Sequence, residues 1–128
     1  MKTFGVGVDI IDNSRIKKSI TNKRFLEKIY SEKEIFNSKK TKNKTEYFSK
    51  RFAAKEAFSK ALGTGFRNNL SFNDITVLND KYGKPFIMVN KKLKKILSKK
   101  FKTKNVNIFL SLSDEKKHSI AFVVVEKK

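Results

Sequence analysis

Apolar and polar positions alternate along the chain in two rhythms, and these divide it into elements. Residues 4–11 (FGVGVDII) form a short apolar run with β-branched side chains, which predicts a buried strand. Asp12 or Asn13 can cap a short helix over 14–20, and 22–30 reads as another turn or two of helix. Ser31 and Glu34 have the spacing of a capping box, so a helix begins again there. Residues 41–45 are polar and charged, and predict a mobile loop. The strongest helical pattern covers 46–62 and is stopped by Gly63-Thr64-Gly65. Strands are predicted at 75–78 and 86–89, joined by the turn-forming segment 79–85. Residues 91–101 predict a basic amphipathic helix with Leu93, Ile96 and Leu97 on its apolar side. Alternation then returns over 106–112 and predicts a half-buried strand, and 119–126 predicts a last one. The expectation is an α+β domain: a largely antiparallel sheet packed with helices, one of them long and central. No repeat or linker divides residues 1–128, so a single domain is expected.

The central helix carries the most informative charges. At about 100° per residue, Tyr47, Ala54, Ala57, Phe58, Ala61 and Leu62 make one apolar stripe. The opposite side holds Phe48 and Phe52 beside Glu56, Ser59 and Lys60, so it too is partly covered. Glu56 and Lys60 then lie in or beside a cleft, where a carboxylate needs a partner or a cation. Their spacing also suits a simple i,i+4 salt bridge. Asp9 interrupts an apolar strand, either as a strand-end residue facing water or as a ligand. Asp9 and Glu56 together are hard oxygen donors of the kind that hold Mg with waters and substrate phosphate. Lys60 lies one turn beyond Glu56 and is placed to meet a phosphate on the same site.

Composition narrows the function classes. There is no Cys, which removes disulfide frameworks, thiolate nucleophiles and zinc–cysteine sites. No stretch approaches the roughly 20 apolar residues of a membrane span, and the first residues are charged too soon for a signal peptide. A cytoplasmic protein is expected. The net charge of +19 predicts attraction to a polyanion without choosing among them. Only four of the 31 basic residues are Arg, and a coding bias toward Lys explains the excess equally well.

Five segments, in order, resemble the holo-acyl-carrier-protein synthases, the small class of phosphopantetheinyl transferases. They are 5–10 (GVGVDI), 51–65 (RFAAKEAFSKALGTG), 70–75 (LSFNDI), 83–85 (GKP) and 110–113 (LSLS). The resemblance covers nearly the whole chain, and its central segment is the most specific. It implies transfer of phosphopantetheine from coenzyme A to a serine of an acidic acyl-carrier protein, supplying fatty acid synthesis. Asp9 and Glu56 are implied as ligands of a catalytic Mg, and Lys60 as the contact to coenzyme A phosphates. Arg51, Ser59, Gly63, Thr64 and Pro85 are implied to line the coenzyme A pocket, and Arg15 and Arg24 to grip the carrier protein. A homotrimer with active sites across subunit boundaries is implied as well. One departure stands out: where many relatives have a His near a cofactor phosphate, this chain has Asp114, and its one His, His118, lies further on. An ionised carboxylate cannot donate to phosphate.

The rival from another class is a small basic nucleic-acid-binding domain, in which Phe residues between lysines stack on bases. Most Phe occupy core-like periodic positions, which argues against it. A catalytic Ser–His pair within this chain is also disfavoured, because His118 has no triad setting.

Overall fold

Short polar side chains set the helix boundaries. In the computed structural model, which describes residues 2–63, 66 and 69–128, Asp12 caps α1 (Asn13–Ser19) and Asn22 caps α2 (Lys23–Ile29). Ser31 opens α3 (Glu32–Ser38) with a reciprocal capping box through Glu34. Asn43 accepts from the Glu46 amide and starts α4 (Lys44–Leu62). The predicted 41–45 loop is therefore shorter than expected: Lys44 and Thr45 already belong to the first turn, because Asn43 supplies the acceptor that the free amides need. Asn90 caps α5 (Lys91–Phe101).

Strands β1 (Lys2–Asp12), β4 (Val106–Asp114) and β5 (His118–Lys127) form an antiparallel sheet in the order β1-β5-β4. Strands β2 (Thr76–Asn79) and β3 (Pro85–Met88) form a separate antiparallel hairpin behind a single 3₁₀ turn, Phe72–Asp74. The α+β expectation and the long central helix both hold. Helix α4 lies across the three-stranded sheet and is covered nearly all round, with Phe48, Phe52, Ala54, Ala57, Phe58 and Leu62 all buried.

Two glycines let strand and helix meet. A Cβ on Gly5 would stand 1.8 Å from the Ala61 carbonyl oxygen, and one on Gly7 1.8 Å from the Ala57 carbonyl oxygen. Both obstacles are backbone and cannot swing aside. Gly5, Gly7 and Asp9 share one face of β1 by strand alternation, so this contact delivers Asp9 to the flank of α4. Gly7→Ala should cost about 3 kcal/mol by overpacking, read as a lower urea midpoint with an unchanged slope.

The other face of the sheet is apolar and uncovered. Val6, Val8 and Ile10 of β1, Phe109 of β4, and Ile120 and Phe122 of β5 are all exposed. The register aligns them in rows, Val8 opposite Phe122 and Ile10 opposite Ile120. A continuous apolar face on a sheet marks an interaction surface.

Candidate active site

Asp9 emerges from the inner face of β1 paired with Ala121, and its side chain is 15% exposed. Lys60 reaches across from α4: its Nζ donates to the Val8 carbonyl at 3.0 Å and to Asp9 Oδ1 at 3.2 Å. The i,i+4 alternative is thus not the partnership formed, since Lys60 turns to the strand rather than back to Glu56. More than half of the Lys60 side chain remains exposed, so its ammonium also faces solvent.

Glu56 is half-buried beside them. Among the described residues no hydrogen bond or ion pair engages its carboxylate. Burial pushes its carboxyl above the usual range and the neighbouring Asp9 charge adds to this, while Lys60 and Arg15 oppose it. Two close carboxylates, one of them unpaired and reluctant to ionise, form a site that a cation relieves. No group of three His, Cys, Asp or Glu comes together among the described residues. A pair of hard oxygen donors that leaves room for water and phosphate matches the habit of Mg and not of a fully caged metal. The donor set fits.

The implied coenzyme A residues divide into two groups. Ser59 is buried and its hydroxyl donates to the Glu56 carbonyl at 2.9 Å. Gly63 closes α4 in the left-handed region, at φ 78°, and its amide donates to the Lys60 carbonyl. That conformation favours glycine. Thr64 lies outside the described residues. The second group lines a cleft of about 470 Å³ at the turn end of the β2–β3 hairpin, with Arg51, Pro85, Asn79 and Lys50 around it. Arg51 is largely committed within the fold. Its guanidinium donates to Asn79 Oδ1 at 2.7 Å and to the Tyr47 carbonyl at 3.3 Å, and stacks 3.7 Å over the Tyr47 ring. Around α4, Arg51 lies about 140° from Glu56 and about 180° from Lys60. Glu56 and Lys60 therefore face away from Arg51, with Ser59, about 80° round the helix from Arg51, between them.

Arg15 is exposed on α1, with its guanidinium 5.8 Å over the Phe52 ring. Phe25, Phe52, Phe72 and Phe66 form a stack with successive centroids 6.4, 5.7 and 3.7 Å apart. Arg15 thus borders an aromatic surface near Glu56, a juxtaposition not legible in the sequence. Arg24 is exposed in the first turn of α2. Asp114 ends β4 with Oδ1 3.5 Å from Lys50 Nζ. His118 pairs with Glu115, Nδ1 to Oε1 at 2.8 Å.

One charged pair is not foreshadowed by the sequence pattern. Lys55 and Glu34 are both fully buried. Lys55 Nζ donates to Glu34 Oε1 at 2.7 Å, to the Phe72 carbonyl at 3.0 Å and to the Ile75 carbonyl. Glu34 also accepts from the Ser31 and Val77 amides. Three acceptors around one nitrogen require the ammonium form. The signal that could have found it is Lys55 lying within a helical stripe of Phe48, Phe52, Ser59 and Leu62, all buried.

A glycine-opened strand brings an Asp to a Glu and a Lys on the central helix, a set that could hold a cation beside a phosphate, and the chain has relatives. The model of the 4'-phosphopantetheinyl transferase superfamily matches residues 5–123, and the chain belongs to that superfamily. Within it, the chain is 58% identical over its whole length to the holo-[acyl-carrier-protein] synthase of Pelagibacter ubique, which it covers completely. Its fold matches the crystal structure of the Neisseria meningitidis holo-[acyl-carrier-protein] synthase with a TM-score of 0.89, at 36% identity over 98% of this chain and 99% of that one. It also matches the Bacillus anthracis synthase solved in complex with coenzyme A (3',5'-ADP), with a TM-score of 0.82 and 37% identity over all of both chains. The chain belongs to the holo-[acyl-carrier-protein] synthase family and is a phosphopantetheinyl transferase.

Proposed function

We propose that this single domain transfers the 4'-phosphopantetheine of coenzyme A to a serine of an acidic acyl-carrier protein, for fatty acid synthesis in the cytoplasm, with Mg held by Asp9 and Glu56. The observation that carries this reading is the convergence of Asp9, Glu56 and Lys60 on one flank of α4. When bound, the metal supplies a Lewis acid that neutralises charge on the diphosphate. Lys60 adds a second positive charge and a donor to the same oxygens. The serine oxygen forms a bond to the pantetheine phosphorus, and the bond to adenosine 3',5'-bisphosphate breaks. The serine proton passes to water or a carboxylate at the site. Intact-mass spectrometry of apo-carrier protein incubated with coenzyme A, Mg and this protein tests the reading. One added phosphopantetheine, abolished by a chelator, supports it; none, across several carrier proteins, overturns it.

The active site is completed, in this reading, by a neighbouring copy in a homotrimer. Arg51 lies about 180° round α4 from Lys60, and in this reading one coenzyme A reaches both across two chains. The bare apolar face of β1, β5 and β4 supplies the surface for such an assembly. Phe122→Asp should leave the isolated fold intact, because the side chain is exposed in it, while light scattering reports a monomer and transfer is lost. A Phe122→Asp protein of unchanged mass and activity would overturn the interfacial site.

Carrier-protein recognition falls to Arg15 and Arg24, with the half-buried Phe25 and Phe72 rings stacked on the buried Phe52 beside Arg15. Because the chain is strongly basic, the KM for carrier protein should rise severalfold as salt shortens the Debye length. Initial rates across a NaCl series check this.

A further inference from the structure

Helix α5 and the residues after it concentrate positive charge in a way that a coding bias does not explain. Residues 91–104 hold eight lysines and none of the 12 acids of the chain. A bias raises Lys everywhere, but it does not clear Asp and Glu from one segment. Leu93 and Leu97 turn into the core, and all eight lysines are exposed. Among the described residues only Lys92 has a counter-charge, Asp74 Oδ2 at 2.7 Å. Lys91, Lys95 and Lys99 are like charges one turn apart, which repel. Lys91 and Lys92 also stand in the first turn, where the helix dipole opposes a cation. The face destabilises α5, and an anionic partner would relieve it.

The surroundings of α5 favour one kind of partner. A membrane surface takes the apolar side of an amphipathic helix, and here that side is already buried. Single-stranded nucleic acid is held by exposed aromatic rings as well as by charge. The one ring here, Phe101, is half-buried and stacked on Phe4 at 4.4 Å. Position points to an acidic protein. Asp74, the partner of Lys92, ends the 3₁₀ turn that begins at Phe72, and Phe72 stacks on Phe52, over which Arg15 lies. Asn73 of the same turn donates to the Glu27 carbonyl of α2, the helix of Arg24. The lysine face therefore adjoins the surface already assigned to carrier protein. A hollow of about 620 Å³ lies between Lys91, Lys92, Lys94, Lys95, Ser98 and Lys104, lined by lysine stems that leave the ammonium groups at its rim. Resting on the proposed function, we propose that this face of α5 is a second docking surface for the acidic carrier protein, whose carboxylates meet Lys91, Lys94, Lys95 and Lys99. Contacts of this kind speed and orient the encounter more than they tighten the bound state, so they act on KM and its salt dependence.

The test compares the full-length protein with a variant carrying Lys91→Gln, Lys94→Gln, Lys95→Gln and Lys99→Gln. At low ionic strength its KM for carrier protein should rise by about tenfold, at the low end of electrostatic steering. Its kcat and its KM for coenzyme A should not move, and the two proteins should converge in high salt. Its melting temperature should be equal or higher, since repulsion within α5 is removed, so the loss does not come from misfolding. The same four positions changed to Arg should keep the wild-type KM. Carbodiimide cross-linking of wild-type protein should join these lysines to carrier-protein carboxylates. Removing the same charge at Lys33, Lys39, Lys40 and Lys81 should move the carrier KM far less; an equal effect would reduce the face to a share of net charge and overturn the proposal. Wild-type carrier kinetics in the α5 variant overturn it too, and if that variant also loses binding to a fluorescent oligouridylate, the face belongs to nucleic acid instead. In both cases wild-type protein still transfers phosphopantetheine, and the reading of the active site stands. Wild-type protein that transfers nothing overturns that reading and this one together.

Discussion

Glu56→Gln should lower kcat/KM for phosphopantetheine transfer by about a thousandfold, at the upper end of what one charge-stabilising group contributes. Gln keeps the size and one oxygen of the side chain, so packing on α4 is preserved and only the negative charge is removed. The remaining site offers a cation a single carboxylate, Asp9, which is already shared with Lys60. Half-saturating Mg should therefore rise together with the loss of rate, and excess Mg should recover part of it. Stability should move the other way. Burial and the Asp9 charge hold the Glu56 carboxyl above its usual range, so its ionised form costs folding free energy near neutral pH. Removing that charge should leave the melting temperature equal or higher. A drop in both rate and melting temperature would instead mean that Glu56 supports the fold, and an unchanged Mg dependence would remove it from the metal. Asp9→Asn should behave alike in rate. If the two carboxylates hold one cation, as proposed, the double variant should be little worse than either single one.

Much of this site is legible in the amino-acid sequence, for physical reasons that can be named. Residues 46–62 carry their helical period and a Gly stop, and Gly63 does adopt the left-handed conformation that ends α4. Asp9 stands out as a charge inside an apolar strand. What the sequence does not show is how Asp9 reaches Glu56, since that depends on backbone contact at Gly5 and Gly7, and glycines in a strand also read as mere weak spots. The partner of Lys60 is equally hidden. A spacing of four along a helix is always visible, whereas a bond to a strand 51 residues away is not. Arg51 shows the same limit from another side, for a motif position says nothing of how far Asn79 and Tyr47 have already engaged its guanidinium. Glu34 reads as a cap and is one, yet the same carboxylate also meets Lys55 and the start of β2.

That last residue pair gives the largest expected effect on stability. Lys55→Met keeps most of the side-chain volume but leaves Glu34 fully buried without its counter-charge, and leaves the Phe72 and Ile75 carbonyls without that donor. Breaking a buried pair on one side costs about 3–5 kcal/mol. In a domain of this size that lowers the melting temperature by more than about 10 °C. The loss should exceed that of an exposed pair by a wide margin. Lys23 and Glu27 are 3.9 Å apart with side chains 90% and 62% exposed, and Lys23→Met should give no resolvable shift. The double variant Lys55→Met with Glu34→Gln separates charge from connectivity. Gln removes the stranded charge and still accepts from the Ser31 or Val77 amide, so the double should be more stable than Lys55→Met alone. If the double is instead worse by the sum of the two single effects, the carboxylate and the ammonium are not coupled. The stabilising role would then belong to their separate backbone bonds, and α3, the 3₁₀ turn and β2 would be tied to α4 by those bonds rather than by the ion pair.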